Sequence, residues 1–216
     1  MARVKICGVT SPEDARACVE AGADAIGINF VPSSPRCVSE ARAQEIAAMI
    51  PPHVVSVGVF VNLPGDEIAR LQGSVGFRCV QLHGDEGPDE LARFLPHAYK
   101  ALRVRGRDVI AEVARFGGEH VLLDAYVPGA AGGTGATFDW SIAAEVARHR
   151  KLTLAGGLTP DNVAAAVAAV RPFCVDVASG VESAPGKKDL AKVAAFIARA
   201  KAAAVAGSGG PGLQSG

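Results

Sequence analysis

Eight apolar, β-rich runs recur at fairly even intervals along 216 residues, and an amphipathic helical stretch follows each one. Strand then helix, eight times in about 200 residues, predicts an α/β chain folded as a single (β/α)8 TIM barrel near its lower size limit. The runs are also almost continuously apolar rather than alternating, as parallel strands roofed by helices require. A doubly wound open sheet alternates in the same way. It normally stops at fewer strands, however, and no GxGxxG follows the first run. The barrel domain is expected over residues 1–203, with a flexible Gly/Ser/Pro tail over 204–216.

The first strand, Arg3-Val4-Lys5-Ile6-Cys7-Gly8, is short, largely apolar and stops at a cysteine. Ser11-Pro12-Glu13-Asp14 then opens a helix with a capping hydroxyl, a proline in the first turn and acids at the positive end of the dipole. Gly22 closes that helix as a left-handed cap would. Later strands are expected over 25–31, 54–61, 78–83, 99–104, 120–124, 152–155 and 173–178. Their helices start near Ser39, Pro64, Asp85, Arg107, Phe138, Thr159 and Asp189, each beside turn formers or first-turn acids. Gly8-Val9-Thr10-Ser11-Pro12-Glu13-Asp14 echoes Gly157-Leu158-Thr159-Pro160-Asp161-Asn162, a likeness of two βα turns.

Lys+Arg and Asp+Glu both number 22, so no basic surplus is left for a nucleic-acid backbone or an anionic membrane. No apolar stretch reaches the length of a membrane span, and the start reads as a strand rather than a signal peptide. Five scattered cysteines without a CxxC pair argue against a disulfide framework or zinc site, and for a reducing cytoplasm. The five histidines show no ligand spacing, so neither metal nor cofactor is expected.

A barrel keeps its chemistry at the carboxyl ends of its strands. The polar residues there are Cys7, Asn29, Asn62, Gln81, His83, Arg103, Asp124, Asp176 and Ser179. Gln81 and Asn29 read either as ligand contacts or as hydrogen-bonded plugs of the interior. Asn62 reads as a turn residue and Arg103 as solvated. Asp124 ends the apolar run His120-Val121-Leu122-Leu123, where a carboxylate needs a partner or a proton. Gly156-Gly157 after strand seven and Ser179-Gly180 after strand eight occupy the corner where this fold binds phosphate. Glycines let the backbone approach a ligand, and amides at a helix start meet its charge. Arg36, in the long loop after strand two, suits a carboxylate or a phosphate. The loop over 126–137, with Gly132-Gly133-Thr134-Gly135, is a candidate lid.

The segments Lys5-Ile6-Cys7-Gly8-Val9-Thr10, Pro32-Ser33-Ser34-Pro35-Arg36 and Val57-Gly58-Val59-Phe60-Val61-Asn62 resemble one family closely. So do Val80-Gln81-Leu82-His83-Gly84, Leu122-Leu123-Asp124, Gly133-Thr134-Gly135 and Ala155-Gly156-Gly157-Leu158-Thr159-Pro160. Val175-Asp176-Val177 with Ser179-Gly180-Val181-Glu182 completes the set, in order, from about residue 3 to about residue 201. Together they are similar to the phosphoribosylanthranilate isomerase family. The resemblance implies an enzyme of tryptophan biosynthesis that turns N-(5-phosphoribosyl)anthranilate into 1-(2-carboxyphenylamino)-1-deoxyribulose 5-phosphate by an Amadori rearrangement.

The resemblance further implies Cys7 as general base, Asp124 as general acid and Arg36 as the holder of the anthranilate moiety. Gly156, Gly157, Ala178, Ser179 and Gly180 are the implied phosphate contacts. Gln81, His83 and Asp176 are the remaining expected substrate-binding side chains. An aldose-to-ketose shift of this kind needs one acid and one base about the sugar, without metal. Asp124 serves as acid only when protonated, and Cys7 as base only when its surroundings favour a thiolate, since free cysteine titrates near about 8.5. Family members often carry lysine where Ala136 sits, serine where Ala178 sits and a basic residue at Ser33. The nearest rival, an isomerase of the histidine-pathway aminoaldose, resembles this architecture but places an aspartate at Cys7. A barrel that binds a phosphorylated ligand without turnover is the rival from another class. The expected partner is a phosphorylated small molecule, with the chain a monomer or weak homodimer.

Overall fold

The structure, a computed structural model, describes residues 2–124 and 140–206. Eight parallel strands close into a barrel in sequence order, and the last pairs back with the first. They are β1 Arg3–Cys7, β2 Ala25–Asn29, β3 Val55–Phe60, β4 Cys79–Leu82, β5 Ala98–Arg103, β6 His120–Asp124, β7 Lys151–Ala155 and β8 Cys174–Val177. The helices are α1 Pro12–Glu20, α2 Glu40–Ala48, α3 Gly65–Val75, α4 Pro88–Ala92, α5 Asp108–Ala114, α6 Trp140–Ala147, α7 Val163–Val170 and α8 Leu190–Ala206. The (β/α)8 architecture read from the alternation is the one observed.

Strand alternation splits the apolar residues into two layers. Val4, Ile6, Ile26, Ile28 and Leu123 point outward and pack under the helices in one large cluster. Val57, Tyr99, Ala101, Leu122 and Ala155 form a second cluster in another layer. Polar side chains share the interior phase, notably Lys5 and Asp176 in one register, and Gln81 beneath His83. At the amino-terminal mouth, opposite the rim where the loops carry chemistry, lies a cavity of about 510 Å³. Lys5 and Tyr99 are among its walls.

Local signals act as expected at several ends. Ser11 Oγ accepts from Asp14 N at 3.1 Å and caps α1, and Gly22 takes φ +96 just beyond that helix. The echo between two βα turns is a shared left-handed glycine, Gly8 at φ +68 and Gly157 at φ +63.

Other boundaries differ from expectation. Strand two stops at Asn29 rather than 31, because Asn29 Oδ1 accepts from Val31 N at 2.7 Å and turns the chain. Helix α4 begins at Pro88, not near Asp85. Glu86 is occupied instead as a brace, accepting from Asn62 N at 2.6 Å and Gly84 N at 2.8 Å, and pairing with Lys100 at 2.9 Å. Helix α7 begins at Val163, since the Asn162 side chain ties Thr159 N and Gly157 O into a turn before it. Helix α8 runs to Ala206, past the boundary expected at 203, through a run of alanine that favours helix. The rest of the tail lies outside the described residues. No helix among the described residues is long and apolar enough to cross a membrane.

Candidate active site

Cys7, Gln81, His83, Asp124 and Asp176 all project toward the interior from the carboxyl-terminal parts of β1, β4, β6 and β8 or just beyond them, as strand periodicity requires. Asp124 is half-buried and lies in register with Arg103 on one side and Ala155 on the other. His83 Nε2 stands 3.3 Å from its Oδ2. Behind the histidine, Gln81 Nε2 meets His83 Nδ1 at 2.9 Å, and the Tyr99 hydroxyl donates to Gln81 Oε1 at 2.9 Å. An amide nitrogen only donates, so Nδ1 accepts and the ring proton sits on Nε2, facing the carboxylate. Gln81 is therefore a buried, hydrogen-bonded plug of the interior, as one of its two readings expected, and it lies directly behind His83.

Burial pushes the Cys7 thiol above its ordinary range, and Asp176 pushes the same way. Lys5, by charge and by hydrogen bond, and then Lys188 pull it down. Lys5 Nζ is paired with Asp176 Oδ2 at 2.8 Å. Burial works against that ammonium, yet Asp176 and Cys7 outweigh it and keep Lys5 charged. Of the other cysteines, Cys18, Cys79 and Cys174 are pushed up by burial to about 12, 11 and 12, while Cys37 is exposed.

Arg36 lies across the end of β1. Gly8 permits this, because a Cβ there would collide with the Arg36 side chain. The guanidinium forks onto Glu182, Nε to Oε1 at 2.8 Å and Nη2 to Oε2 at 2.6 Å. Glu182 also receives Lys188 Nζ at 2.8 Å, and Lys188 donates on to the Cys7 carbonyl at 2.7 Å. Burial alone would raise Glu182, but Arg36 and Lys188 hold its carboxyl below the usual range. Both Glu182 and Lys188 belong to a small hairpin after β8, in which β9 Glu182–Ala184 pairs with β10 Lys187–Lys188. Thr10 Oγ1 donates to Gly186 O at 2.6 Å, and Asp14 Oδ2 accepts from Lys188 N at 3.1 Å, so the hairpin is laced to the start of α1.

At the glycine corner, Gly156 and Gly157 take φ +93 and +63. Gly180 packs so tightly on the Leu158 carbonyl that a Cβ would overlap it, which presses loop eight against loop seven. Ser179–Val181 forms one turn of 3-10 helix after Ala178. Asn62, at φ +53, is the turn residue expected of it, and Arg103 is exposed. The candidate lid over 126–137 and Ala136 lie outside the described residues.

Sequence reasoning did not single out Lys5, Tyr99, Glu182 or Lys188. Lys5 had a signal: two residues before Cys7 on one strand, it had to share the cysteine's face. Glu182 and Lys188 had none beyond their place after strand eight, because only the fold brings them to Arg36 and Cys7.

A closed barrel with a thiol, a carboxylate and an imidazole at the strand ends, and glycine turns after strands seven and eight, belongs to the (β/α)8-barrel enzymes. Comparison with known proteins narrows this. The family described as N-(5'phosphoribosyl)anthranilate (PRA) isomerase matches residues 4–199. An N-(5'-phosphoribosyl)anthranilate isomerase of Trichlorobacter lovleyi is 49% identical over 204 residues, covering 94% of this chain and all of that one. The crystal structure of phosphoribosyl anthranilate isomerase from Thermotoga maritima superposes with a TM-score of 0.86 at 43% identity, over 94% of this chain and 100% of that chain. A structure of such an isomerase in complex with reduced 1-(o-carboxyphenylamino)-1-deoxyribulose 5-phosphate superposes at 0.82 with 41% identity, with the same coverage. The chain belongs to the phosphoribosylanthranilate isomerase family, the aldose–ketose isomerases of tryptophan biosynthesis.

Proposed function

We propose that the chain converts N-(5-phosphoribosyl)anthranilate to 1-(2-carboxyphenylamino)-1-deoxyribulose 5-phosphate, with Asp124 as general acid and Cys7 as general base. The observation that carries this reading is the placement of both groups on inward-facing ends of β1 and β6, three strand positions apart around one rim. Asp124 gives its proton to the ring oxygen, the C1–O bond breaks, and the sugar opens to a protonated Schiff base. The Cys7 thiolate then takes the proton from C2, and the electron pair moves through C1 to nitrogen, giving the enolamine that tautomerises to the ketone. No step needs an electron acceptor.

Arg36 is the reading for the anthranilate carboxylate: Glu182 holds the guanidinium by Nε and Nη2, and the Nη1 donors with the second Nη2 proton remain for the ligand. The backbone at Gly156, Gly157, Ala178, Ser179 and Gly180 is the reading for the phosphate, supported by the left-handed turns and the close-packed loops. The related isomerase in complex with reduced 1-(o-carboxyphenylamino)-1-deoxyribulose 5-phosphate supports a ligand that carries both a carboxylate and a phosphate. Asp176, expected as a substrate contact, is buried and paired with Lys5, and its Oδ1 has no hydrogen-bond partner among the described residues.

Freshly prepared phosphoribosylanthranilate should lose its fluorescence when the protein is added, and the histidine-pathway aminoaldose should not turn over. Cys7→Ser and Asp124→Asn should each lower kcat by about 10²–10⁴-fold, the usual worth of one acid or base, with unchanged circular dichroism. Near-normal kcat in either variant removes that residue from its role.

A further inference from the structure

Lys5 and Cys7 leave the same strand two residues apart, so their side chains lie one above the other on the interior face of β1. Gly27 on β2 lets both press against one bare patch of backbone. A Cβ there would stand 2.7 Å from Cys7 Sγ and 3.2 Å from Lys5 Cε. The ammonium is buried, and Asp176 Oδ2 takes one of its three protons at 2.8 Å. The other charges that face Cys7 are committed elsewhere. Lys188 spends its donors on Glu182 and the carbonyls of Cys7 and Ala178, and Arg36 is forked onto Glu182.

We propose that Lys5 is a positioning residue for the isomerisation, the counter-ion beside the Cys7 sulfur, held there by Asp176 on β8. This rests on the reading of Cys7 as the base. An ammonium with protons to spare stabilises the thiolate by charge and by hydrogen bond, while the Asp176 carboxylate opposes it. The pair therefore sets how readily the thiol ionises, in opposite senses from its two ends. The same opposition is visible in the forces on Cys7, where Lys5 lowers and Asp176 raises its tendency to hold the proton.

The test is the pH dependence of iodoacetamide alkylation at Cys7, followed by intact mass in a Cys37→Ser background without substrate. Lys5→Met should move the midpoint upward and slow alkylation near neutrality about tenfold, while Lys5→Arg stays near the parent. Asp176→Asn should move the midpoint downward. In turnover, Lys5→Met should lose kcat about tenfold or more with KM within about twofold. A Lys5→Met midpoint equal to the parent's, or shifts of the same sign in both variants, overturns the proposal. Should Lys5→Met fail to fold, Asp176→Asn decides alone, and an unchanged or raised midpoint overturns it. Opposite shifts in a protein that leaves phosphoribosylanthranilate untouched would uphold the ion pair's role and remove the isomerase reading instead.

Discussion

The histidine beside Asp124 has its tautomer set from inside the barrel, by a phenol on β5 acting through an amide on β4. Tyr99→Phe removes the donor that orients Gln81, so the amide is free to turn and His83 is no longer confined to the Nε2–H form. Nitrogen-15 shifts of His83 should move from that pattern toward a mixture, with a stability loss of about 1 kcal/mol from one deleted hydrogen bond. Unmoved shifts would mean that the Gln81 amide needs no such guide. At this scale the sequence was most informative where one residue stands alone at a strand end. Cys7 and Asp124 were legible in this way as the polar ends of β1 and β6. Partners brought in from distant segments were not: the Arg36–Glu182 fork joins residues 146 apart, and the Lys5–Asp176 pair residues 171 apart. No local pattern encodes such separations.

Among the elements, loops seven and eight depend on two glycines for different physical reasons. Gly157 needs its left-handed backbone but faces open space, so Gly157→Ala should cost about 1–2 kcal/mol and spare the neighbouring loop. Gly180 meets a backbone carbonyl that has nowhere to retreat. Gly180→Ala should cost about 1–3 kcal/mol as overpacking and should also part loop eight from loop seven. Inhibition by inorganic phosphate distinguishes them. It should weaken clearly in Gly180→Ala and more mildly in Gly157→Ala, and equal inhibition in both would contradict the close-packing account. Each of the eight barrel strands was visible as an apolar run, because burial on both faces writes itself into the whole strand, whereas the β9–β10 hairpin was not. The ends were less visible where side chains of the loop decided them. Asn29, Glu86 and Asn162 each spend their polar groups on nearby backbone, and each shifts where a strand stops or a helix begins.

For the molecule as a whole, acid should loosen the barrel from its amino-terminal end. His120 sits between Tyr99, at 4.2 Å between ring centres, and Phe173, at 5.7 Å. Its Nε2 lies 2.6 Å from Thr153 Oγ1. Burial, then the cations Lys5, Lys151, Arg150 and Arg3, hold its pKa down to about 4 against an ordinary 6.5. The unfolded chain therefore binds the extra proton first. The stability from a neutral His120 is complete above pH 6.5 and is lost as the pH falls toward 4, by as much as about 3 kcal/mol. Urea midpoints at pH 7 and pH 4.5 should converge more closely in His120→Gln than in the parent, and an equal drop in both would place the acid sensitivity elsewhere. The amino-terminal hollow is also roofed by the undersides of Lys5 and Tyr99, the very residues that reach Asp176 and Gln81 above. The barrel is thus a stoppered tube, not a conduit. A guest lodged at the lower end meets Lys5 and Tyr99 from below, and by leaning on those two stoppers it would reach the site proposed above.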